Sequence, residues 1–355
     1  MRADVIDLFC GVGGLSFGLR QAGLNILAGY DIDASCRYAY ETNIKADFIN
    51  KNIKETSADE IIYCFNKIES SIRILVGCAP CQTFSQYTQQ SKRKTDSKDD
   101  EKWTLLNEFL RIVMEVQPEI ISVENVPNLV KYPIFNHFLE VLKQSGYHVS
   151  YNIVFCPDYG IPQNRKRLVL LGSRLKEINL INKTYEKNNY INVREVIGHL
   201  PKIEAGEQSS DDKLHVSRKL TPINIQRIRA TPKNGGSWID WDETLVLQCH
   251  KKLTGRKYSS VYGRMKWDEP SPTMTTFCTG IGNGRFGHPE QDRAISLREA
   301  SLLQTFPMDY DFIENKNELP KMGTISRHIG NAVPPKLGEV IGLSIKKHLG
   351  DFYAI

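Results

Sequence analysis

Two side chains of this sequence combine reactive chemistry with a position at a predicted strand end, the thiol of Cys81 and the carboxylate of Glu124. Cys81 follows Pro80, which ends an apolar run at 72–76 that predicts a short buried strand. Glu124 follows a second strand-like run at 119–123. Because α/β sheets present reactive groups beyond the carboxyl ends of their strands, we expect both side chains on one rim of a sheet. A single free cysteine is more often an inert buried residue, so the prediction that Cys81 is reactive depends on the residues around it.

A glycine-rich turn near residue 10 has the arrangement of a cofactor-binding loop. A predicted strand at 5–9 leads into Cys10-Gly11-Val12-Gly13-Gly14-Leu15, and a helical pattern then runs to Gly23. Glycines let a ligand approach the backbone, and the N-terminus of a helix offers free N–H groups. The spacing differs from the dinucleotide fingerprint, and many such turns only pack a helix on a strand, so both interpretations stay open.

Acidic residues follow the second predicted strand, which covers 24–30. Asp31 is placed to bind ribose hydroxyls, and Ile32 to lie against a flat adenine face. Asp33 precedes a helical stretch and has the alternative role of an N-cap. Both roles are compatible if Asp31 binds the ligand and Asp33 caps the helix.

Two basic segments are candidates for phosphate binding. The polar stretch 86–102 has no hydrophobic period and contains Lys92, Arg93 and Lys94, which suits a lid over a phosphate-bearing polymer. The segment Gln163-Asn164-Arg165-Lys166-Arg167 leads into a predicted strand at 168–171. Its arginines are placed to bind phosphate, order the lid or contact a base carbonyl. A solvated charge run is the alternative interpretation of both segments.

The order of elements divides the chain into two parts. Strands alternate with helices up to about residue 172, which predicts a mainly parallel, doubly wound α/β sheet. Between about 173 and 293 the alternation is lost and turns multiply. Many lysines and arginines are interleaved there with tryptophans and tyrosines, a composition typical of a nucleic-acid-facing module.

The composition is that of an ordinary globular protein. The chain has 355 residues, 41% hydrophobic and 25% charged, which predicts two domains. With no bilayer-length apolar run and no signal peptide, we expect a cytoplasmic protein without a membrane partner. The eight cysteines lack the paired spacing of a zinc site, so we expect reduced thiols and no metal. A net charge of +5 permits a nucleic-acid partner.

Six short motifs resemble, in their order, those of cytosine-C5 DNA methyltransferases, and the resemblance covers nearly the whole chain. They are Asp7–Gly14, Pro80-Cys81-Gln82, Glu124-Asn125-Val126, Gln163–Arg167, Arg298–Pro307 and Gly330–Val333. Each motif alone is weak, whereas six in the family's order are specific. The resemblance implies a Rossmann-like S-adenosylmethionine-dependent methyltransferase domain, with a smaller, irregular target-recognition domain.

The resemblance also implies a catalytic set and a cofactor set. Cys81 would add to C6 of cytosine, and Glu124 would bond N3 and the exocyclic amine. Arg165 would bind the base carbonyl, and Arg167 would support it. The residues implied for S-adenosylmethionine, and for its product S-adenosylhomocysteine, are Phe9, Gly11, Gly13, Gly14, Leu15, Asp31, Ile32, Asn52, Ile53, Pro80, Asn331 and Val333.

Two positions near these sets need separate interpretation. Asn52 stands where the family usually has an aspartate facing the adenine amine, although an amide oxygen can still accept that hydrogen bond. Cys78 precedes Cys81 by three residues, and we interpret it as a structural thiol because most free cysteines are packing residues.

The remaining implications concern DNA. The target base must leave the duplex for its ring to be reached. Gln82 would fill or clamp the gap, Ser85 would contact a phosphate, and Lys92 and Arg93 belong to the predicted lid. Residues 186–321 would form the target-recognition domain and hinge, and residues 1–185 with 322–355 the catalytic and cofactor-binding domain. We expect a bacterial or phage-encoded monomer acting on double-stranded DNA, with a cognate restriction endonuclease as a possible partner.

The sequence leaves three alternatives. A tRNA cytosine-C5 methyltransferase would share the scaffold, but the large basic segment favours DNA. A catalytically inactive DNA-binding relative would not need both Cys81 and Glu124. A nicotinamide-dependent oxidoreductase would explain the glycine loop and would leave the two reactive residues and the basic segment without a role.

Overall fold

The computed structural model describes residues 2–66, 71–80 and 99–350. The predicted site residues Cys81, Gln82, Ser85, Lys92 and Arg93 lie outside this described part. The chain forms two compact units. The first unit comprises Met1–Tyr159, Lys166–Lys183 and Val333–Ile355, and the second unit comprises Gly160–Arg165 and Thr184–Ala332. The functional roles predicted above for residues 1–185 with 322–355 and for residues 186–321 stay predictions.

A seven-stranded sheet forms the centre of the first unit. The strands of the chain are β1 (Arg2–Leu8), β2 (Asn25–Asp31), β3 (Asp47–Asn50), β4 (Ser71–Gly77), β5 (Ile120–Asn125), β6 (His148–Phe155), β7 (Gln163–Asn164), β8 (Lys166–Ser173) and β9 (Ser271–Pro272). The sheet has the order β3-β2-β1-β4-β5-β8-β6. The strands from β3 to β5 are parallel, and β8 is antiparallel to both neighbours. The predicted mainly parallel, doubly wound sheet is confirmed.

Helices cover this sheet and bury its apolar strands. The α-helices among the described residues are α1 (Gly14–Gln21), α2 (Arg37–Ile44), α3 (Ala58–Asn66), α4 (Asp99–Val116), α5 (Pro133–Gln144), α6 (Val193–Ile197), α7 (Pro222–Ala230), α8 (Gln248–Lys251), α9 (Leu297–Leu303), α10 (Met322–Asn331) and α11 (Pro335–Gly350). Ile6, Ile74, Leu75 and Ile121 are fully buried on the central strands. Their near-continuous hydrophobic runs are typical of parallel strands covered on both faces. None of the described helices has the length and apolar character needed to cross a membrane.

The close packing of α1 against α11 fixes the helix that follows β1. A Cβ atom at Gly18 would lie 2.0 Å from the carbonyl oxygen of Pro335, so only glycine permits this approach. The order of strands reverses between β1 and β4, the position at which doubly wound sheets leave a crevice beyond their carboxyl ends. The turn after β1 therefore lies at the strand ends where such a crevice is expected.

The second unit contains short helices, many turns and a two-strand pairing of β7 with β9. Arg264 and Arg293 are fully buried in it. Arg293 donates through both terminal nitrogens to Glu299, at 2.7 Å each. Burial alone would raise the pKa of the Glu299 carboxyl, but these hydrogen bonds and the positive charge lower it to about 2. The interior of this unit therefore contains buried, paired charges beside its apolar side chains.

A capping box begins α9 in the second unit. Ser296 Oγ accepts a hydrogen bond from the Glu299 N–H at 3.0 Å, and Glu299 Oε2 accepts one from the Ser296 N–H at 2.7 Å. The helix ends at Leu303. The Glu299 carboxylate thus serves both the helix cap and the buried pair with Arg293.

Candidate active site

The turn after β1 has the left-handed backbone that its glycines permit. Gly11 has φ +52° and Gly13 has φ +89°, and Phe9 between strand and turn has φ 68°. A Cβ atom at Gly13 would lie 2.8 Å from the Ile44 side chain, whereas one at Gly11 would meet nothing within 4 Å. Gly13 therefore serves packing, and Gly11 leaves backbone open to a ligand.

Asp31 at the end of β2 braces this turn. Its Oδ2 accepts a hydrogen bond from the Gly11 N–H, and its Oδ1 accepts one from the Asp33 N–H, both at 2.8 Å. Burial raises the pKa of the Asp31 carboxyl, and the backbone donors oppose that shift. Asp33 accepts from the Ser35 N–H at 3.1 Å and caps a one-turn helix. The sequence predicted the N-cap at Asp33, but it did not predict that Asp31 accepts hydrogen bonds from the backbone of this turn.

Asp7 on β1 is a buried carboxyl group that the sequence argument did not single out. Its Oδ2 accepts a hydrogen bond from Ser16 Oγ at 2.6 Å, and its Oδ1 has no hydrogen-bond partner in the described structure. Burial raises the pKa of Asp7 to about 7. Only its place within the first motif could have drawn attention to it.

The predicted cofactor residues of the first unit cluster at neighbouring strand ends. Asn50 donates through Nδ2 to the carbonyl oxygens of Asp31 and Ile32, at 3.0 Å each, and thus joins the ends of β3 and β2. The Ile32 side chain is 70% exposed, whereas Ile53 is buried in the core. Asn52 Oδ1 accepts from the Lys54 N–H at 3.1 Å.

Other members of the predicted cofactor set differ in their surroundings. Gly14 and Leu15 are buried in the first turn of α1, and Pro80 is exposed beyond the end of β4. Val333 is buried in the first unit, whereas Asn331 is exposed and belongs to the second unit. Of the predicted cofactor residues, the first unit therefore brings together those at its strand ends, whereas Asn331 belongs to the second unit.

Glu124 lies buried at the end of β5, with a side-chain contact on each carboxylate oxygen. Arg167 Nε lies 3.0 Å from Glu124 Oε1, an ion pair whose alignment is not that of a hydrogen bond. Cys78 Sγ donates to Glu124 Oε2 at 2.9 Å. The Asn125 amide donates to the carbonyl oxygen of Ala79 at 3.2 Å, which ties the end of β5 to the exit of β4. The contact of Cys78 with Glu124 was not visible from the sequence.

The two arginines of the Gln163–Arg167 motif belong to different units. Arg167 is on β8 of the first unit, and Arg165 is in the second unit. Arg165 is buried and donates to the carbonyl oxygens of Met274, at 3.3 Å, and Ala332, at 3.5 Å. Gln163 accepts from the Met274 N–H at 2.9 Å and donates to the Leu303 carbonyl oxygen at 2.9 Å.

Comparison with known proteins identifies the family of this chain. The family model described as C-5 cytosine-specific DNA methylase matches residues 3–347. The Type II methylase M.HgiDII of Herpetosiphon aurantiacus is 52% identical over 98% of this chain and 96% of its own length. The Type II methyltransferase M1.HphI of Haemophilus parahaemolyticus is 30% identical over 98% of this chain and 87% of its own length.

A solved structure shares the fold. It is described as a DNA modification methyltransferase encoded within an E. coli prophage, with a TM-score of 0.73 at 24% identity over 98% of this chain and 99% of its own. The first unit has the Rossmann-like fold of S-adenosylmethionine-dependent methyltransferases. The chain belongs to the C-5 cytosine-specific DNA methylase family and is a DNA (cytosine-5-)-methyltransferase. Enzymes of this family use S-adenosylmethionine.

Proposed function

We propose that this enzyme methylates one cytosine within a short duplex sequence and protects that sequence from a cognate restriction endonuclease. Its relatives are named as Type II methylases, which supports a modification role. The observation that carries the proposal is the buried Glu124 carboxylate, held beside the strand exit that leads to Cys81. Buried carboxylates that are held from both sides suit the recognition of a polar ring edge.

The cofactor site fits the crevice beyond β1, β2 and β3. Gly11 leaves open backbone, Ile32 offers an exposed apolar surface for the adenine ring, and Asp31 has a carboxylate that suits ribose hydroxyls. Phe9, Asn52 and Pro80 would complete the site at the neighbouring strand ends. When bound, S-adenosylmethionine supplies the electrophilic methyl group.

Cys81 and Glu124 would activate the cytosine ring together. The Cys81 thiolate would form a bond to C6, which places the electron pair of the C5–C6 bond on C5 and makes that carbon nucleophilic. Glu124 would hold N3 and the exocyclic amine and stabilise the charge that develops on the ring. After methylation, loss of the C5 proton to a base would break the sulfur–carbon bond and restore Cys81. Arg167 holds Glu124, and Arg165 would meet the base carbonyl.

A basic segment of the second unit supports DNA as the substrate. Lys251, Lys252, Arg256 and Lys257 are exposed, and none forms an ion pair within the described part of the chain. Leu253, in their midst, is 80% exposed. Four unpaired cations within seven residues match a phosphate backbone, which attracts them without regard to sequence. Base recognition and flipping would be additional properties of the enzyme.

Bisulfite sequencing of a methylation-free host that expresses the protein tests this proposal. We expect protected cytosines within one short motif, and none in a host that expresses Cys81→Ser. Complete conversion of the genome despite folded wild-type protein would contradict the DNA assignment. Methylation of tRNA in the same cells would then favour the RNA alternative, and resistance of the modified DNA to endonucleases would test protection.

A further inference from the structure

We propose that Cys78 is a positioning residue for methyl transfer, and that its thiol fixes the Glu124 carboxylate against the exit of β4. The sequence predicts only a packing role for this cysteine. This inference rests on the proposed catalytic role of Glu124. It adds a second residue, besides Arg167, on which the orientation of that carboxylate depends.

The carboxylate of Glu124 is restrained from two sides. Cys78 Sγ donates to Oε2 at 2.9 Å, and Arg167 Nε lies 3.0 Å from Oε1. The Glu124 side chain is 2% exposed, so the surrounding protein shields both contacts from bulk water. A carboxylate that is contacted at both oxygens keeps one orientation, which is the condition for meeting a ring edge productively.

Cys78 is itself held in place by its backbone surroundings. Its N–H donates to the carbonyl oxygen of Leu8 on β1 at 3.4 Å. The following residue, Ala79, accepts a hydrogen bond from the Asn125 amide at 3.2 Å. The segment that carries the thiol is therefore hydrogen-bonded to β1 on one side and to β5 on the other. Because the thiol is fixed in this way, its hydrogen bond also fixes the Glu124 carboxylate.

The thiol contact leaves Glu124 able to bind a base. A carboxylate oxygen has more than one acceptor position, so Oε2 can receive the thiol and a substrate donor together. Loss of the thiol would release one side of the carboxylate and allow nonproductive orientations. Removal of a hydrogen bond to a charged group supports an expected loss of about tenfold in the rate of methyl transfer.

The test compares Cys78→Ala with Cys78→Ser in single-turnover methyl transfer to a duplex that carries the site found by bisulfite sequencing. Alanine and serine are similar in size, so their ratio isolates the hydrogen-bond donor. We expect Cys78→Ala to be about tenfold slower than the wild type and Cys78→Ser to stay within about threefold. DNA and cofactor affinities should change by less than about twofold. Cys64→Ala is the control, because Cys64 is also partly buried but contacts the Tyr30 hydroxyl, at 3.6 Å.

Combination with Glu124→Gln separates positioning from a general structural effect. We expect Glu124→Gln alone to slow transfer about 100-fold or more. Addition of Cys78→Ala should then slow it by no more than about twofold, because the carboxylate to be positioned is gone. A full tenfold loss in that background, or equal rates for Cys78→Ala and wild type, would overturn the inference about Cys78.

Failure of the inference and failure of the proposed function give different results. A Glu124→Gln enzyme with wild-type rate would refute the catalytic role of Glu124, and the inference with it. A slow Glu124→Gln enzyme beside an unaffected Cys78→Ala enzyme would refute the role of Cys78 alone. If Cys78→Ala does not fold, the isosteric pair Cys78→Thr and Cys78→Val provides the same comparison of donor with no donor.

Discussion

The two units of this methyltransferase differ in what their interiors contain. The first unit is built on a sheet whose central strands bury aliphatic side chains such as Ile6, Leu75 and Ile121. The second unit also buries apolar side chains such as Leu297 and Phe306, but in addition it fully buries the side chains of Arg264 and Arg293 with their partners. Aliphatic packing is nondirectional, whereas a buried guanidinium needs each donor to meet an acceptor.

This difference fits the separate tasks that we propose for the two units. Catalytic and cofactor groups are precise when they lie on rigid strands, and the first unit offers neighbouring strand ends for them. A surface built from turns has no regular frame, so directional contacts must hold its loops. Arg264 does this by donating to the carbonyl oxygens of Ile228, Thr231 and His288. The four changes below test this comparison, starting with the one of largest expected effect.

Removal of a buried charge should damage the second unit severely. Arg293→Met leaves the Glu299 carboxylate buried without its guanidinium partner, and we expect a loss of about 3–5 kcal/mol in stability. Hydrogen exchange of amides in the second unit measures this loss, and exchange in the first-unit sheet should change little. The double variant Arg293→Met with Glu299→Met should recover much of the stability. Equal loss in the single and double variants would contradict the importance of the pairing.

Neutralisation of the basic segment should weaken DNA binding without touching the first unit. Changing Lys251, Lys252, Arg256 and Lys257 to glutamine should raise the Kd for duplex DNA roughly 100-fold at moderate salt. The slope of log Kd against log salt should fall by about three to four, because each phosphate contact releases about 0.9 counterion. Titrations at several salt concentrations measure both quantities. Glutamine at Lys143 and Lys347, exposed lysines of the first unit, is the control. An unchanged salt slope in the quadruple variant would remove the segment from the DNA interface.

Acid should act on the two units in opposite directions. Burial lowers the pKa of the His288 imidazole to about 3. As pH drops below about 6.5, the imidazole therefore takes up a proton in the unfolded state but not in the folded state, and the stability of the second unit decreases. On the order of 2 kcal/mol should be lost from the second unit by pH 5. Burial raises the pKa of the Asp7 carboxyl to about 7. Its protonated form therefore stabilises the folded first unit fully at pH values below the pKa of Asp7 in the unfolded chain, and this stabilisation is lost as pH rises through 7.

Hydrogen exchange at pH 5 and pH 8, followed separately for each unit, measures these opposite trends. His288→Gln should flatten the pH dependence of the second unit, and Asp7→Asn that of the first. Parallel pH trends in both units that survive the two substitutions would show that other groups dominate.

The smallest expected effect concerns the exposed apolar surface beyond β2. Ile32→Ala removes a side chain that is 70% exposed, so the free energy of unfolding should stay nearly constant. The Kd for S-adenosylhomocysteine should rise about fivefold, because the ligand would lose apolar area to cover. Calorimetric titration measures it, with Ile239→Ala in the second unit as control, since Ile239 is 59% exposed. Loss of folding stability without loss of affinity would place Ile32 outside the cofactor site.

The amino-acid sequence by itself determined the family, the class of fold and the local structure of several site segments. Strand and helix periods are repeated over short distances, so the doubly wound sheet could be predicted from alternation alone. The left-handed Gly11 and Gly13 and the caps at Asp33 and Ser296 depend on residues close in the chain. Short-range signals of this kind are visible in one sequence.

Only the tertiary structure decided which distant side chains meet. The contact of Cys78 with Glu124 joins residues 46 positions apart, and Arg167 reaches the same carboxylate from an antiparallel strand. Arg165, two residues from Arg167, belongs to the other unit, although the sequence presents both as one motif. These relationships arise from sheet order and chain crossing. No local period or spacing encodes them, because burial and pairing are set by the folded chain as a whole.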